Sequence, residues 1–300
     1  MQAGMTPVGY SDTSRLSAKT YELMFEPKEE KNYGNLKTIK LETLPDFDLL
    51  IAGFPCQSFS VIGRQDGFYD IRGQIIFHIA NILKARQPKF FILENVKGLV
   101  SHNKGESLMV IIKLLNDSGY NVAYKVLTSL DYGVPQMRQR VYFIGVNRSS
   151  RIDINNFVWP TPIPKPNLSE YLIDNVVANE EIMSILPYYL NNPTNKGRYT
   201  ICDLREMEGK ILDTRMSDLR IYDGKVPTLR SQRDGILYVH HGEICTLTGY
   251  EALLLQGFPQ HYANKVKGIV SNRHLLMQSG NAMTVNVIKA LGESILKINK

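Results

Sequence analysis

The sequence predicts an α/β protein with a doubly wound, mainly parallel sheet, joined to a smaller and less regular domain. Four short apolar segments rich in β-branched and aromatic residues are typical of strands, and amphipathic helical patterns separate them. The pattern weakens near residue 147, where proline and turn-forming residues become frequent. Strand–helix–strand alternation implies right-handed crossovers and therefore a mainly parallel sheet.

The predicted elements follow one another in the first half of the chain. The strands are DFDLLIAG (46–53), KFFILEN (89–95), NVAYKVL (121–127) and RVYFIGV (140–146). A helix over residues 74–85 places five apolar side chains on one face: Ile75, Ile76, Ile79, Ile82 and Leu83. A second helix over residues 107–120 ends at Gly119.

The second half of the chain predicts a second domain that is inserted into the first. The proline-rich stretch TPIPKPNLSEY opens it, and we assign residues 163–255 to the second domain. Residues 256–280 are predicted to be a hinge that follows a helix stopped by Gly257 and Pro259. The last predicted helix has the same regular amphipathic pattern as the helices of the first domain. We therefore expect residues 281–300 to pack with residues 1–162 as part of that domain.

Composition narrows the class of protein. Apolar residues make up 43% of the chain and charged residues 21%, which is ordinary for a globular protein, and no apolar run is long enough to span a bilayer. Three cysteines without a CxxC pair, and no visible export signal, favour a reducing cytoplasm. The six histidines show no ligand spacing, so no metal site is expected. A net charge of +6 is compatible with a polyanionic partner.

Two reactive side chains follow predicted strands. Cys56 comes directly after LLIAGFP, and Glu94 ends KFFILE. Ligands bind at the carboxyl ends of parallel strands. A thiol placed there could attack a substrate covalently, and a carboxyl group beside it could protonate another atom of the same substrate. The alternatives are an inert buried thiol and a helix-capping or solvated acid.

Two arginines alternate at the start of the last predicted strand. Arg138 and Arg140 are expected to project to one side, where they would orient the acid, lower the pKa of the thiol or grip a phosphate. Taken alone, the two arginines also fit an edge strand on which both charges have no functional role.

Five blocks, in order and spacing, resemble the bacterial DNA (cytosine-5)-methyltransferases: GFPCQSFS, ILENVKGL, LDYGVPQMRQRVYFIG, YEALLLQGFP and GNAMTVNVI. The resemblance runs from about residue 8 to the C-terminus and is weak only in the proline-rich middle, where this family keeps its target recognition domain. It implies a Rossmann-like fold that uses S-adenosyl-L-methionine, and duplex DNA as the partner.

The resemblance also implies a mechanism. The Cys56 thiolate adds to C6 of a cytosine that has been flipped out of the duplex, and C5 then takes the methyl group. Glu94 would hydrogen-bond N3 and the exocyclic amine of the base. Arg138 and Arg140 would hold the cytosine carbonyl and the carboxylate, and the loop with Gly63, Gly67 and Gly73 would close over the base.

Further residues are carried over from the same blocks. Asp12, with Thr13 beside it, would be the acid that binds the ribose hydroxyls. Asn35 stands where the family usually has an aspartate that binds the adenine amine. Asp12 and Asn35 also fit ordinary turn chemistry. The rest of the cofactor pocket is assigned to Leu36, Pro55, Ile75, Asn281 and Ala282. The candidate DNA contacts are Gln57, Ser60, Arg215, Arg220, Arg230 and Arg233, and each of the four arginines also fits a solvated charge or a phosphate-only contact.

One family block is not among the 300 residues. The strand and FxGxGG turn that wrap the methionine end of the cofactor are not found, so we expect weak cofactor binding and an exposed apolar strand edge. A mis-assigned start, a separate N-terminal subunit and a decayed gene each explain this pattern. An RNA cytosine methyltransferase, a non-catalytic DNA-binding descendant and, with little support, a thiol hydrolase stay open as functions, and a companion restriction endonuclease is an expected partner.

Overall fold

The computed structural model of the chain describes residues 3–55, 74–216, 218–231 and 234–299. Contacts divide the chain into two compact units. The first comprises Met1–Thr128, Gln139–Thr161 and Val287–Lys300, and the second comprises Ser129–Arg138 and Pro162–Asn286. The sequence prediction placed segment 129–138 and residues 281–286 in the first domain and treated 256–280 as a hinge, whereas all three segments belong to the second unit.

The elements that the structure describes are short. The strands are β1 (Gly9–Tyr10), β2 (Lys31–Asn32), β3 (Leu49–Gly53), β4 (Phe90–Val96), β5 (Tyr120–Thr128), β6 (Gln136–Met137), β7 (Gln139–Asn147), β8 (Ile211–Asp213), β9 (Arg220–Tyr222), β10 (Val226–Pro227), β11 (Ile236–His240) and β12 (Glu243–Thr246). The α-helices are α1 (Arg15–Phe25), α2 (Gln74–Arg86), α3 (Glu106–Asp117), α4 (Glu180–Leu190), α5 (Ile201–Arg205), α6 (Gly249–Leu255), α7 (Gln260–Asn264), α8 (Asn272–Asn281) and α9 (Val285–Ile298).

The first unit contains a four-stranded sheet in the order β3-β4-β7-β5 and a separate parallel pair, β1-β2. Strands β3 and β4 run parallel, as predicted. Strand β7 is antiparallel to both β4 and β5. The ten residues between β5 and β7 are fewer than the dozen or more that a parallel crossover needs, so this part of the sheet is antiparallel. The α/β class is confirmed, with a more mixed sheet than the sequence pattern predicts.

Helices α2 and α3 cover this sheet. The predicted apolar face of α2 is confirmed, because Ile76, Ile79, Ile82 and Leu83 are each at most 3% exposed and Ile75 packs against the same core. Helix α3 adds buried leucines and isoleucine, and β4 adds Phe91 and Leu93. Burying these side chains supplies most of the free energy that holds the sheet and helices together.

Strand β3 forms an open edge of the sheet. Among the described residues it pairs only with β4, and its five residues are Leu49, Leu50, Ile51, Ala52 and Gly53. Ile51 is 43% exposed. This agrees with the exposed apolar strand edge that the sequence predicts.

The second unit is built on an antiparallel sheet in the order β12-β11-β8-β9, with a short parallel pair, β6-β10. One hydrophobic core on it includes Ile211, Val226 and Tyr238, and another includes Leu186 and Leu204 of α4 and α5. No α-helix in the described part of the chain is long and apolar enough to cross a membrane.

A buried carboxylate joins three parts of this unit. Glu251, in the first turn of α6, is 0% exposed. It accepts hydrogen bonds from the backbone N–H groups of Ile173 (2.8 Å), Asp174 (3.0 Å) and Thr248 (2.8 Å), and from the Tyr238 hydroxyl (2.9 Å). Burial raises the pKa of Glu251 above its usual range even though these four donors favour the charged form.

Candidate active site

Glu94 lies near the carboxyl end of β4, beside the strand that leads to Cys56. The parallel register pairs Gly53 of β3 with Glu94, and the Phe54 N–H donates to the Glu94 carbonyl at 3.4 Å. The two strands therefore end at the same edge of the sheet, as the sequence predicts. Cys56 itself lies outside the described residues, as do Gln57, Ser60 and the loop with Gly63, Gly67 and Gly73.

Arg140 forms an ion pair with Glu94 inside the first unit. Its Nε lies 3.0 Å from Glu94 Oε1, and the two side chains are only 14% and 12% exposed. The antiparallel register sets Glu94 opposite Tyr142 and Val96 opposite Arg140, so the two side chains are diagonal neighbours on one face of the sheet. The guanidinium also donates from Nη1 to the Gln139 carbonyl at 2.8 Å, and these contacts hold both charges in fixed positions.

Asn95 fixes the backbone that precedes Cys56. Asn95 is 1% exposed. Its side-chain Nδ2 donates to the Phe54 carbonyl at 3.0 Å, and its Oδ1 accepts from the Val96 N–H at 2.7 Å. Asn95 is therefore a positioning residue that ties the end of β4 to the end of β3. Sequence reasoning missed it, although its place directly after Glu94 in a strand of apolar residues is a signal that points to it.

Arg138 has different partners from Arg140. It is 3% exposed, lies in the second unit, and donates to the carbonyls of Leu229 (3.0 Å), Gly280 (3.2 Å) and Ala282 (2.9 Å). These bonds join three separate segments of the second unit. The contacts favour a structural role for Arg138 over the predicted contact with the base.

Two of the predicted cofactor residues lie at the ends of neighbouring parallel strands. Asp12 follows β1 and Asn35 follows β2, and both are exposed. Each makes the turn contact that the sequence also allows, since Asp12 Oδ1 accepts from the Ser14 N–H (2.7 Å) and Asn35 Oδ1 from the Lys37 N–H (3.0 Å). A carboxylate and an amide oxygen at adjacent strand ends fit the hydroxyls and amine of a nucleoside.

The remaining predicted pocket residues are divided between the two units. Thr13 and Pro55 are exposed, and Leu36 and Ile75 pack partly buried against the core of the first unit. Asn281 is exposed at the end of α8 in the second unit. The carbonyl of Ala282 there accepts from Gln256 Nε2 at 2.6 Å as well as from Arg138.

The arginines predicted to contact DNA have three different placements. Arg215 is a bidentate partner of Asp213 (2.7 and 3.0 Å), donates to the Thr228 carbonyl (2.7 Å), and its side chain is 4% exposed. A guanidinium held this way would have to leave three bonds to reach a phosphate, which argues against a DNA contact. Arg220 and Arg230 are exposed, and Arg233 lies outside the described residues.

The fold is that of a methyltransferase. A structure of a methyltransferase from Entamoeba histolytica, EhMeth, superposes with a TM-score of 0.67 over 97% of this chain and 89% of that one, at 17% identity. The Dnmt2 methyltransferase of S. pombe superposes with a TM-score of 0.64 over 97% of this chain and 91% of that one, at 19% identity.

The sequence comparisons give the family. A model described as C-5 cytosine-specific DNA methylase matches residues 1–297. The type II methyltransferase M.HaeII of Haemophilus aegyptius is 35% identical over 98% of this chain and 86% of its own length. M.HhaI of Haemophilus parahaemolyticus is 31% identical over 95% of this chain and 86% of its own length. The chain therefore belongs to the C-5 cytosine-specific DNA methylase family and is a DNA (cytosine-5)-methyltransferase, a class whose methyl donor is S-adenosyl-L-methionine.

Proposed function

We propose that this chain methylates C5 of a cytosine flipped out of duplex DNA, through a covalent bond between the Cys56 sulfur and C6. The observation that carries the proposal is the Glu94–Arg140 pair, at the carboxyl end of the strand next to the one that leads to Cys56. A buried carboxylate held by a guanidinium is suited to bind the N3 and amine edge of a cytosine. The membership of the family supports the same assignment.

Each side chain then has a chemical role. Addition of the Cys56 thiolate to C6 turns the ring into an enamine, so that C5 becomes nucleophilic. Glu94 would accept from the exocyclic amine and give a proton to N3 as negative charge develops on the ring, while Arg140 would hold Glu94 in position and donate to the cytosine carbonyl. S-adenosyl-L-methionine supplies an electrophilic methyl group. After C5 has taken it, solvent water accepts the C5 proton, the Cys56 sulfur leaves C6 as a thiolate and the N3 proton returns to Glu94, which restores the aromatic ring.

The cofactor assignment rests on the first unit. Asp12 would bind the ribose hydroxyls and Asn35 the adenine amine, from adjacent strand ends.

In the second unit, the segment 163–255 is proposed as the target recognition domain, with Arg220 and Arg230 as its exposed candidates for phosphate or guanine contacts. Because the relatives are named type II methyltransferases, we also propose a companion restriction endonuclease of the same specificity.

A methyl-transfer assay with labelled S-adenosyl-L-methionine tests the function. With a peptide that joins an apolar strand to an FxGxGG turn added, the chain is expected to label duplex DNA of varied sequence and to leave tRNA unlabelled. Labelling of tRNA without labelling of DNA would favour the RNA methyltransferase. Binding of duplex DNA without any transfer, even with the peptide present, would favour the non-catalytic descendant.

We propose further that a polypeptide segment outside the 300 residues pairs with the open edge of β3 and completes the cofactor pocket. The two end strands of the sheet differ, because β5 carries Lys125 and Asn121 whereas β3 consists of apolar residues and glycine. Exposed strand edges in native proteins are usually protected by charge, so the unprotected edge of β3 is suited to pair with a further strand.

Isothermal titration calorimetry tests this pairing. The 300-residue chain alone is expected to bind S-adenosyl-L-methionine weakly or not at all. Adding a peptide that joins an apolar strand to an FxGxGG turn is expected to strengthen binding, and a scrambled peptide of the same composition is the control. Micromolar binding by the chain alone would contradict the proposal.

A further inference from the structure

A hairpin turn in the second unit presents two histidines beside a glutamate. Strands β11 and β12 pair with His240 opposite Glu243, so the turn between them consists of His241 and Gly242. Both turn residues have positive φ, 51° for His241 and 74° for Gly242, which is the pattern of a type I′ turn. Adjacent residues on an extended strand point to opposite faces, but this turn brings the two imidazole rings to a centroid distance of 4.1 Å.

The third group comes from a separate segment. Glu208 lies between α5 and β8, and its neighbours are bonded to β11: the Gly209 N–H donates to the Val239 carbonyl (2.9 Å) and the Val239 N–H to the Lys210 carbonyl (3.1 Å). These backbone bonds hold Glu208 next to His240, whose Nδ1 lies 3.5 Å from Glu208 Oε1. One ligand atom each from Glu208, His240 and His241 lie within 4.8 Å of one another.

We propose that Glu208, His240 and His241 form a binding site for a divalent transition-metal ion such as Zn²⁺. Two imidazole nitrogens and a carboxylate oxygen are a donor set that Zn²⁺ accepts with a further position for water. The flanking cations are paired, Arg205 with Glu243 (3.6 Å) and Lys210 with Asp223 (2.5 Å), so their charges are offset locally. The ion would join the hairpin turn to the 206–210 loop within the second unit, and none of its three ligands is a residue to which we assign catalysis.

Titration of the whole chain with ZnCl₂, followed calorimetrically in a buffer without thiol reductant, tests the site. His241→Asn is the main variant, because asparagine tolerates the left-handed backbone of this turn and so preserves the fold. It is expected to weaken Zn²⁺ binding at least about tenfold, because even residues that only support a metal ligand are worth about 10- to 100-fold in affinity. Glu208→Gln, which keeps the shape of the side chain, is expected to weaken binding in the same way.

The matched control is His261→Asn, which removes an exposed histidine from α7 that is not in this cluster. Its Zn²⁺ affinity is expected to equal that of the wild type, and the thiols contribute equally to every titration. Zn²⁺ binding that is unchanged in both His241→Asn and Glu208→Gln would overturn the proposal. An equal loss in the His261→Asn control would overturn it as well, since the binding would then not depend on this cluster.

Discussion

Replacing Arg140 by alanine is expected to lower kcat/KM for methyl transfer to duplex DNA about 100- to 1,000-fold, the range seen when one preorganised donor to a developing charge is removed. The guanidinium is the partner that holds the Glu94 carboxylate at 3.0 Å in a site where both side chains are largely buried. Without it, Glu94 loses the buried ion pair with Arg140, and removing one partner of a buried pair is strongly unfavourable. The measurement is steady-state methylation of a duplex substrate at several DNA concentrations, with the strand-and-turn peptide present for every variant.

Two further variants separate catalysis from folding. Arg140→Lys keeps the charge but loses the planar fork, so it is expected to recover only part of the activity. Arg148→Ala is the matched control: Arg148 follows the other end of β7 and donates to Asn121 at 3.2 Å, in an exposed position. Wild-type activity in Arg140→Ala, with the unfolding temperature unchanged, would contradict the assigned role of the pair.

The largest expected effect on stability is at Glu251. Glu251→Ala removes the acceptor of four buried donors, from Ile173, Asp174, Thr248 and Tyr238. Each buried donor left without a partner costs about 1–3 kcal/mol, so a loss of about 3 kcal/mol or more is expected for the second unit after partial hydration. Thermal and urea unfolding, followed by probes in that unit, measure the loss.

Glu251→Gln tests which part of the loss is due to hydrogen bonding. The Gln side chain can keep the three bonds to Oε1, but its NH₂ group then faces the Thr248 N–H, so a smaller loss of about 1–2 kcal/mol is expected. Glu206→Ala, at an exposed carboxyl in the same unit, is the control and is expected to change stability by less than about 0.5 kcal/mol. A loss that small in Glu251→Ala would contradict the account of this buried carboxylate.

The raised pKa of Glu251 is expected to make the stability of the second unit depend on pH. The pKa of Glu251 is raised by burial, so the protonated carboxyl is favoured in the folded state relative to the unfolded chain. Its contribution to stability is therefore greatest below the unfolded-state pKa and is lost as the pH rises through the folded-state pKa. Glu251→Gln should remove this decline.

The sequence predicted those parts of the site that depend on local pattern. An apolar run precedes Glu94 and another leads toward Cys56, and the parallel register of Gly53 with Glu94 confirms that the two strands end together. The suggestion that an arginine orients the acid matches the contact between Arg140 and Glu94, because residues at the start of a neighbouring antiparallel strand lie beside the end of β4.

Long-range contacts could not be predicted in this way. The pattern RxR treats Arg138 and Arg140 alike, but Arg138 bonds to carbonyls that are 91 to 144 residues distant in sequence. Likewise, no local signal shows that Arg215 donates to the Thr228 carbonyl or that Glu208 lies beside His240, because these contacts depend on how separate segments of the second unit pack.

A trap with 5-fluorocytosine tests the proposed chemistry most directly. Fluorine at C5 cannot leave as a proton does, so an enzyme whose Cys56 sulfur adds to C6 should remain bonded to the duplex after methyl transfer. In the presence of S-adenosyl-L-methionine, with the strand-and-turn peptide added, the wild type is expected to form a denaturant-resistant complex and Cys56→Ser none. A complex of equal yield with Cys56→Ser, or methylation of ordinary duplex DNA with no trapped complex, would contradict the covalent route through Cys56.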